Sequence, residues 1–381
     1  METSFAFIAD WYFPILTTLG FYFLILVIIN VFEMRRRTVP ATRKQGPLVS
    51  VLIPMRNEEE NLVKCLDSLR RQNYENYEIL VIDDNSTDGT LEALNCVARE
   101  DARVQVYRGA PLPEDWYGKP YALQQLAKNA KGEILLFTDA DTVHSPTSIS
   151  WAVTNMEASD SDFISGYVRQ KIQSFGEQIT VPLMFFLTGF LLPLSMNRIS
   201  KYGLFSPAVG QFIAVKRAVF ETIGGFSSVK KKTSEDMYLA RQIKNHGFKT
   251  AFLDIGDQVQ CRMYRGYRAA VEGIGKNIFD FLGKNTLIIF GIALAIIFFL
   301  FLPFPLLIHS ALSEGLHIAE LLTVNILHTI TWMVLFLDRK ISWYWALLWP
   351  LMFLNLVYIA YWSWFRTVSG QGFLWKDRVV T

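Results

Sequence analysis

The sequence has little that could staple a fold or clasp a soft metal. Its three cysteines, Cys65, Cys96 and Cys261, are odd in number and far apart. They predict neither a disulfide framework nor a metal pattern, and fit ordinary buried thiols in a reducing compartment. The histidines, His144, His246, His309, His317 and His328, show no ligand spacing and read as structural. Charge of one sign is missing too: 37 Lys and Arg against 35 Asp and Glu leave +2. That excludes the strongly basic face of a nucleic-acid binder. No glycine-rich loop follows the first predicted strand, which argues against P-loop and dinucleotide enzymes. Internal repeats and low-complexity segments are absent.

What the chain does have is apolar residues in clusters. They make up 51% of 381 residues, yet 19% are charged, which predicts a globular domain joined to membrane helices. A short tail, 1–10, precedes an uncharged run from Trp11 to Phe32 (11–32) that is long enough to span a bilayer. Glu2 and Asp10, the length of the run and the lack of a small-residue cleavage site argue against a cleaved signal peptide. The basic linker 33–47 carries Arg35, Arg36, Arg37, Arg43 and Lys44, which by the positive-inside rule assigns the domain beyond it to the cytoplasm. Further spans are predicted at 286–308, 318–337 and 341–364, ahead of a basic tail, 365–381. Four crossings would put that tail outside, whereas Arg366, Lys376 and Arg378 favour the inside. A re-entrant segment would resolve the conflict. The expectation is a multi-pass protein of the cell membrane with a cytoplasmic domain at 48–265.

Within that domain, apolar runs alternate with helical patterns. Val49 to Pro54 reads as a strand, and Asn57 with Glu60 as a capping box opening a helix to about Gln72. Tyr77 to Ile82 is a second strand, followed by a helix from Thr90 to Arg99 and a third strand, Val104 to Tyr107. A loop with Gly118 and Pro120 leads to a helix from Tyr121 to Ala130, then to the strand Ile134 to Phe137. This spacing predicts a mostly parallel, Rossmann-like α/β sheet. Three strand ends then carry polar clusters to one sheet edge: Pro54 to Glu59, Asp83-Asp84 and Asp139-Ala140-Asp141. Ligands of such sheets bind beyond the strands' carboxyl ends. Two carboxylates there suit one hard divalent cation that shares its sphere with phosphate.

Residues 48–142 form the expected nucleotide half and 143–265 the acceptor half. In the latter, 179–194 is apolar but contains Pro182, Gly189 and Pro193. It reads as a helix or hairpin in the membrane interface, with a buried core helix as the alternative. Ser234-Glu235-Asp236 opens a helix to about Gly247, and its dipole predicts a low pKa for Asp236. Residues 266–284 read as an amphipathic interfacial helix.

In combination these motifs resemble a membrane-bound, inverting family 2 glycosyltransferase of the GT-A type. The stretches that carry the likeness are Ile53 to Glu59, Val81 to Thr90, Phe137 to Asp141, Ile223 to Phe226 and Ser234 to Asp236. More narrowly, Trp116 to Lys119, Phe226, Arg262 to Tyr264 and Trp375 to Arg378 resemble bacterial enzymes that glycosylate carotenoids and related terpenoid lipids. Asp377 stands where glycine is common in that group. The resemblance implies that Pro54, Arg56 and Glu58 line a nucleotide pocket and that Asp84 hydrogen-bonds uracil. Lys119 would lie near the pyrophosphate, Asp139 would hold ribose or metal, and Asp141 would bind Mn2+ or Mg2+. Asp236 would be the general base, with Glu235 positioning donor or acceptor. Arg262 and Arg265 would contact either the diphosphate or lipid headgroups.

The implied partners are a nucleotide-sugar donor such as UDP-glucose, a membrane lipid acceptor and the bilayer, with no nucleic acid. Whether a hydroxyl or a carboxyl is glycosylated stays open. A processive polysaccharide synthase is one alternative. It is disfavoured because Gln258 to Tyr264 lacks the Gln-x-x-Arg-Trp spacing of that class. A non-catalytic membrane scaffold is another, disfavoured by the intact set Asp84, Asp139, Asp141 and Asp236.

Overall fold

The computed structural model describes residues 2–313 and 317–380. Met1 and Thr381, the outermost residues of the two expected tails, lie outside the described residues, as do 314–316 between two expected spans.

A long helix, α1 (Glu2–Arg37), leads into the sheet. The first strands are β1 (Val49–Met55), β2 (Tyr77–Asp83), β3 (Val104–Arg108) and β4 (Ile134–Phe137). The intervening helices are α2 (Leu62–Arg70), α3 (Thr90–Glu100) and α4 (Gly118–Asn129). The seven-stranded sheet runs β3-β2-β1-β4, then Ile213–Lys216, Phe163–Tyr167 and Thr250–Asp254. All pairs are parallel except those made by Ile213–Lys216, which is antiparallel to both neighbours. Both faces of the sheet are covered, so its strands are apolar throughout. Val51, Ile53 and Val81 pack under α2 and α3, while Leu52, Leu80 and Phe137 pack towards α4 and the helix Glu235–Asn245.

Register sets the site. Met55 pairs with Asp83 and Leu52 with Phe137. The polar segments after β1, β2 and β4 therefore leave the sheet at one edge, as the sequence predicts.

Several local expectations give way. The helix read from Asn57 begins at Leu62. Asn57 has a positive φ of 52°, and its carboxamide accepts from Thr87 N–H at 2.9 Å instead of capping a helix. Helix α4 starts at Gly118 rather than Tyr121, because Pro120 is tolerated in a first turn that needs no N–H donor. Lys119 thus sits on a helix, not in a loop. Cys96 is exposed, unlike Cys65 and Cys261.

The stretch 179–194 is not one helix. Pro182 divides it into Phe175–Thr180 and Leu183–Gly189. Phe186 and Phe190 bury against Trp332, and Phe190 also meets Phe23 of α1. Asn30 of α1 ties the following loop down: its side chain bonds the Gly189 and Leu192 carbonyls and the Leu194 N–H, each at 2.8 Å.

Among the described residues, four helical stretches are long and apolar enough to cross a membrane: Trp11–Arg37, Thr286–Leu312, Ile318–Asp338 and Trp343–Val368. The second contains a π-helical stretch, Ile296–Phe301, just ahead of Pro303, where a proline disturbs the ordinary hydrogen-bond ladder. The fourth opens as a 3-10 turn, Trp343–Leu348, before Trp349–Val368. Both ends of this fourth stretch meet the α/β domain. Lys340, just before it, pairs with Asp257. Beyond it, Lys376 pairs with Glu58 and Arg378 with Asp84. The first and third stretches each bring one end to that domain: Thr38, just past the first, accepts from Asp254 N–H at 3.3 Å, and Arg339, just past the third, pairs with Asp254 at 3.4 Å. The same domain therefore lies against both flanks of the fourth stretch. The helix Tyr267–Phe281 lies along it, with Ser363 Oγ accepting from Phe279 N–H at 3.1 Å.

Candidate active site

The turn after β4 hangs on a buried polar network. Thr142 Oγ1 donates to the Asp139 carbonyl at 2.7 Å, and Thr138 Oγ1 donates to the Gln211 carbonyl at 2.9 Å. His144 lies 3.0 Å from both the Thr138 and Ser148 hydroxyls. Burial pushes its pKa down to about 3, so it is a neutral structural group. This network holds Asp139 and Asp141 at the rim of the sheet.

Lys119, on the first turn of α4, joins the two halves of the domain. Its Nζ lies 2.8 Å from Asp139 and 3.1 Å from Glu235. Burial opposes its charge, but Asp139 and Glu235 outweigh that and raise its pKa well above the ordinary lysine value. Asp236, next to Glu235, accepts from Gly210 N–H at 2.7 Å and from Met237 N–H at 2.8 Å. Burial, then the neighbouring Glu235, push its pKa up to about 6. The low value expected from the helix terminus is overturned: desolvation beside a second carboxylate outweighs the dipole.

Asp141 is pushed up to about 7, chiefly by burial and then by Asp139 and Glu58. Its Oδ1 is buried with no hydrogen-bond partner. A buried carboxylate oxygen left bare is costly, and a divalent cation would satisfy it. Among the described residues no three His, Cys, Asp or Glu converge as a preformed cage. One or two carboxylates plus substrate phosphate is what Mg2+ or Mn2+ ordinarily takes, so the residues present fit such an ion.

The nucleotide half supplies the opposite wall. Arg56 donates to the Asp84 and Asn85 carbonyls at 2.7 and 2.6 Å. Glu58 pairs with Lys376 at 2.9 Å, and Asp84 with Arg378. Arg262 pairs with Glu177 at 3.0 Å. Burial would raise the Glu177 pKa, but the Gln173 N–H and Arg262 outweigh it and hold it at about 2. Arg265 reaches across to Glu60 and Asn61.

All of these line one cavity of about 1200 Å3: Pro54, Arg56, Glu58, Asp84, Lys119, Asp139, Asp141, Glu235, Asp236, Arg262 and Arg265. The same cavity continues between apolar helices, past Phe23, Met184, Phe186, Ile278, Ile292, Ile296 and Phe299. Sequence reasoning misses four polar contributors: Glu177, Lys276, Gly210 and the tail residue Lys376. Glu177 stands just ahead of the apolar stretch 179–194, Lys276 is in the helix read as amphipathic, and Gly210 contributes only its backbone. Burial lowers the Lys276 pKa, opposed by Glu235.

Comparison with known proteins gives this geometry its class. Residues 50–224 match the model for glycosyl transferase family 2, and that segment is a family 2 glycosyltransferase domain. A solved structure of a mannosyltransferase from Pyrobaculum calidifontis, in complex with GDP-Man and Mn2+, covers 91% of this chain and 97% of its own, with 20% identity and a TM-score of 0.54. At that identity the likeness concerns the fold, which is GT-A. Among curated relatives, a glycosyltransferase of Streptococcus pneumoniae is 29% identical, over 37% of this chain and 44% of its own. The 4,4'-diaponeurosporenoate glycosyltransferase of Staphylococcus haemolyticus is 27% identical over 60% of each chain. The match thus spans 44% and 60% of these two relatives.

Proposed function

We propose that the protein is an inverting glycosyltransferase of the cell membrane, its catalytic domain cytoplasmic. It would move a hexose from a nucleotide sugar such as UDP-glucose to a membrane lipid, a carotenoid or related terpenoid. The carrying observation is the continuity of the cavity. Carboxylates and Lys119 lie at one end and the side chains of apolar helices at the other. A polar donor and an apolar acceptor can meet there without either leaving its own solvent. The acceptor in the name of the Staphylococcus haemolyticus relative supports this acceptor class.

Inverting transfer is one displacement at the anomeric carbon. It needs a base on the acceptor and stabilisation of the leaving diphosphate. In this reading Asp236 takes the acceptor proton. A pKa near 6 keeps it mostly ionised at pH 7 yet basic enough to pull. Its bonds to Gly210 and Met237 aim the carboxylate, and Glu235 holds Lys119 towards the diphosphate. Asp84 accepts the uracil N–H, with Pro54, Arg56 and Glu58 around the base. Asp141, with Asp139, would hold the cation, which when bound supplies positive charge to the departing diphosphate. Asp139 also serves the ribose. Arg262 and Arg265 brace the acceptor half, anchored by Glu177 and Glu60. With three crossings and a fourth helix returning to its starting side, the basic tail ends in the cytoplasm with the domain.

Lipid mass spectrometry of cells with and without the protein tests this. The expected difference is a hexose on one terpenoid lipid species. Identical lipid profiles under conditions of expression would refute it.

A further inference from the structure

The two short strands after the last helix, Phe373–Trp375 and Arg378–Val380, form a hairpin turned by Lys376 and Asp377. Both turn residues have positive φ, 49° and 63°, the arrangement two-residue hairpins require. The turn is docked on the segment after β1, although Asp377 itself stays exposed. Lys376 Nζ meets Glu58 at 2.9 Å and the Asn57 carbonyl at 2.8 Å. Its own carbonyl accepts from Arg56 Nε at 2.8 Å. Asp377 accepts from Asn57 Nδ2, also at 2.8 Å. Arg378 grips both oxygens of Asp84, a residue only 4% exposed. A Cβ on Gly118 would strike the Arg378 guanidinium, so the glycine keeps room for it.

We propose that this hairpin is a wall of the donor pocket, with Arg378 and Lys376 positioning Asp84 and Glu58 for a nucleoside diphosphate. The inference rests on the nucleotide reading of the pocket. Electrostatics supplies the reason. The cavity gathers Glu58, Asp84, Asp139, Asp141, Glu235 and Asp236, and a diphosphate would be repelled by so many uncompensated carboxylates. Lys119 answers Asp139 and Glu235. The hairpin answers the two on the nucleotide side. A bidentate guanidinium also orients the Asp84 carboxylate while leaving it lone pairs for a base N–H. Because both flanks of the last helix meet the α/β domain, the hairpin can reach the site.

The test is UDP binding with Mn2+, and GDP in parallel, by calorimetry on the full chain in nanodiscs. Arg378→Ala should weaken nucleotide binding about tenfold or more, with Arg378→Lys between it and wild type. The donor KM should rise to match while kcat at saturating donor stays within about twofold. In the unaltered protein, nucleotide should slow amide exchange across residues 373–380, a readout that does not depend on any variant folding. Unchanged affinity in Arg378→Ala, with Asp84→Asn weakened, would overturn the hairpin's role and leave the pocket reading intact. Absence of nucleotide binding to the folded wild type would overturn both.

Discussion

Lys119 lies 2.8 Å from Asp139. One comes from the first turn of α4, the other from the turn after β4, and through Glu235 the lysine also reaches the acceptor half at 3.1 Å. One lysine thus bridges the domain's two halves, at the place where the proposed reading puts the leaving diphosphate.

Replacing that cation should cost catalysis more than binding. For Lys119→Met the expected loss is about 100-fold in kcat, the order seen when one preorganised charge donor is removed. Steady-state kinetics with a purified lipid acceptor measures it, and a kcat within a few-fold of wild type would discount the lysine.

The pH profile follows from Asp236. Its pKa is raised to about 6, so the base is ionised above that value and is lost as pH falls through it. With an alcohol acceptor, kcat/KM should be flat above pH 7 and drop about tenfold per unit below 6. An acceptor carboxyl, already ionised, needs no strong base. Asp236→Asn should therefore cost less with an acid acceptor than with an alcohol, for which about 100-fold or more is expected. Equal losses on both acceptor types would argue against proton abstraction.

How much of this is legible in the residues alone varies with range. Short apolar runs give the ends of β1, β2 and β4 to within one residue (Pro54 for Met55, Ile82 for Asp83, Phe137 itself), and with them the convergence of Asp84, Asp139 and Asp141. Asn57 misleads because a local cap pattern is satisfied in sequence while its carboxamide is claimed by Thr87 and Asp377, the latter 320 positions away. Asp236 misleads because the dipole can be read from sequence and burial beside Glu235 cannot. The hairpin at the end is hardest: three-residue strands, a turn without glycine, and partners about 290 to 320 positions distant. Basic residues there suggest a membrane side, not a pocket wall.

The joint between catalytic domain and helices makes a stability prediction. Asn30 satisfies three backbone groups around Gly189 and Leu194. Asn30→Leu strands them in an apolar setting, at a cost of about 1–3 kcal/mol for each buried group left bare. Thermal unfolding in detergent should show a clear drop in Tm, and no change would mean the loop finds other partners.

Glu177 makes a second. It is buried, accepts from the Gln173 and Gly266 N–H groups and pairs with Arg262. Its pKa is held at about 2, below its ordinary 4.5. The stability it contributes is therefore present above pH 4.5 and lost as pH falls from there towards 2. Glu177→Gln should lower Tm at pH 7, and the gap to wild type should narrow under acid.

Metal dependence follows from the bare oxygen of Asp141. Chelation should abolish transfer, with Mn2+ or Mg2+ restoring it, and Asp141→Asn should no longer respond to added metal. Full activity in excess chelator would contradict the assignment.

The most direct measurement is product analysis with the purified protein in nanodiscs, UDP-glucose and a terpenoid lipid. The account predicts a lipid carrying one hexose with the anomeric configuration inverted, lost in Asp236→Asn. A retained configuration, a long polymer, or undiminished product from Asp236→Asn with an alcohol acceptor would contradict it.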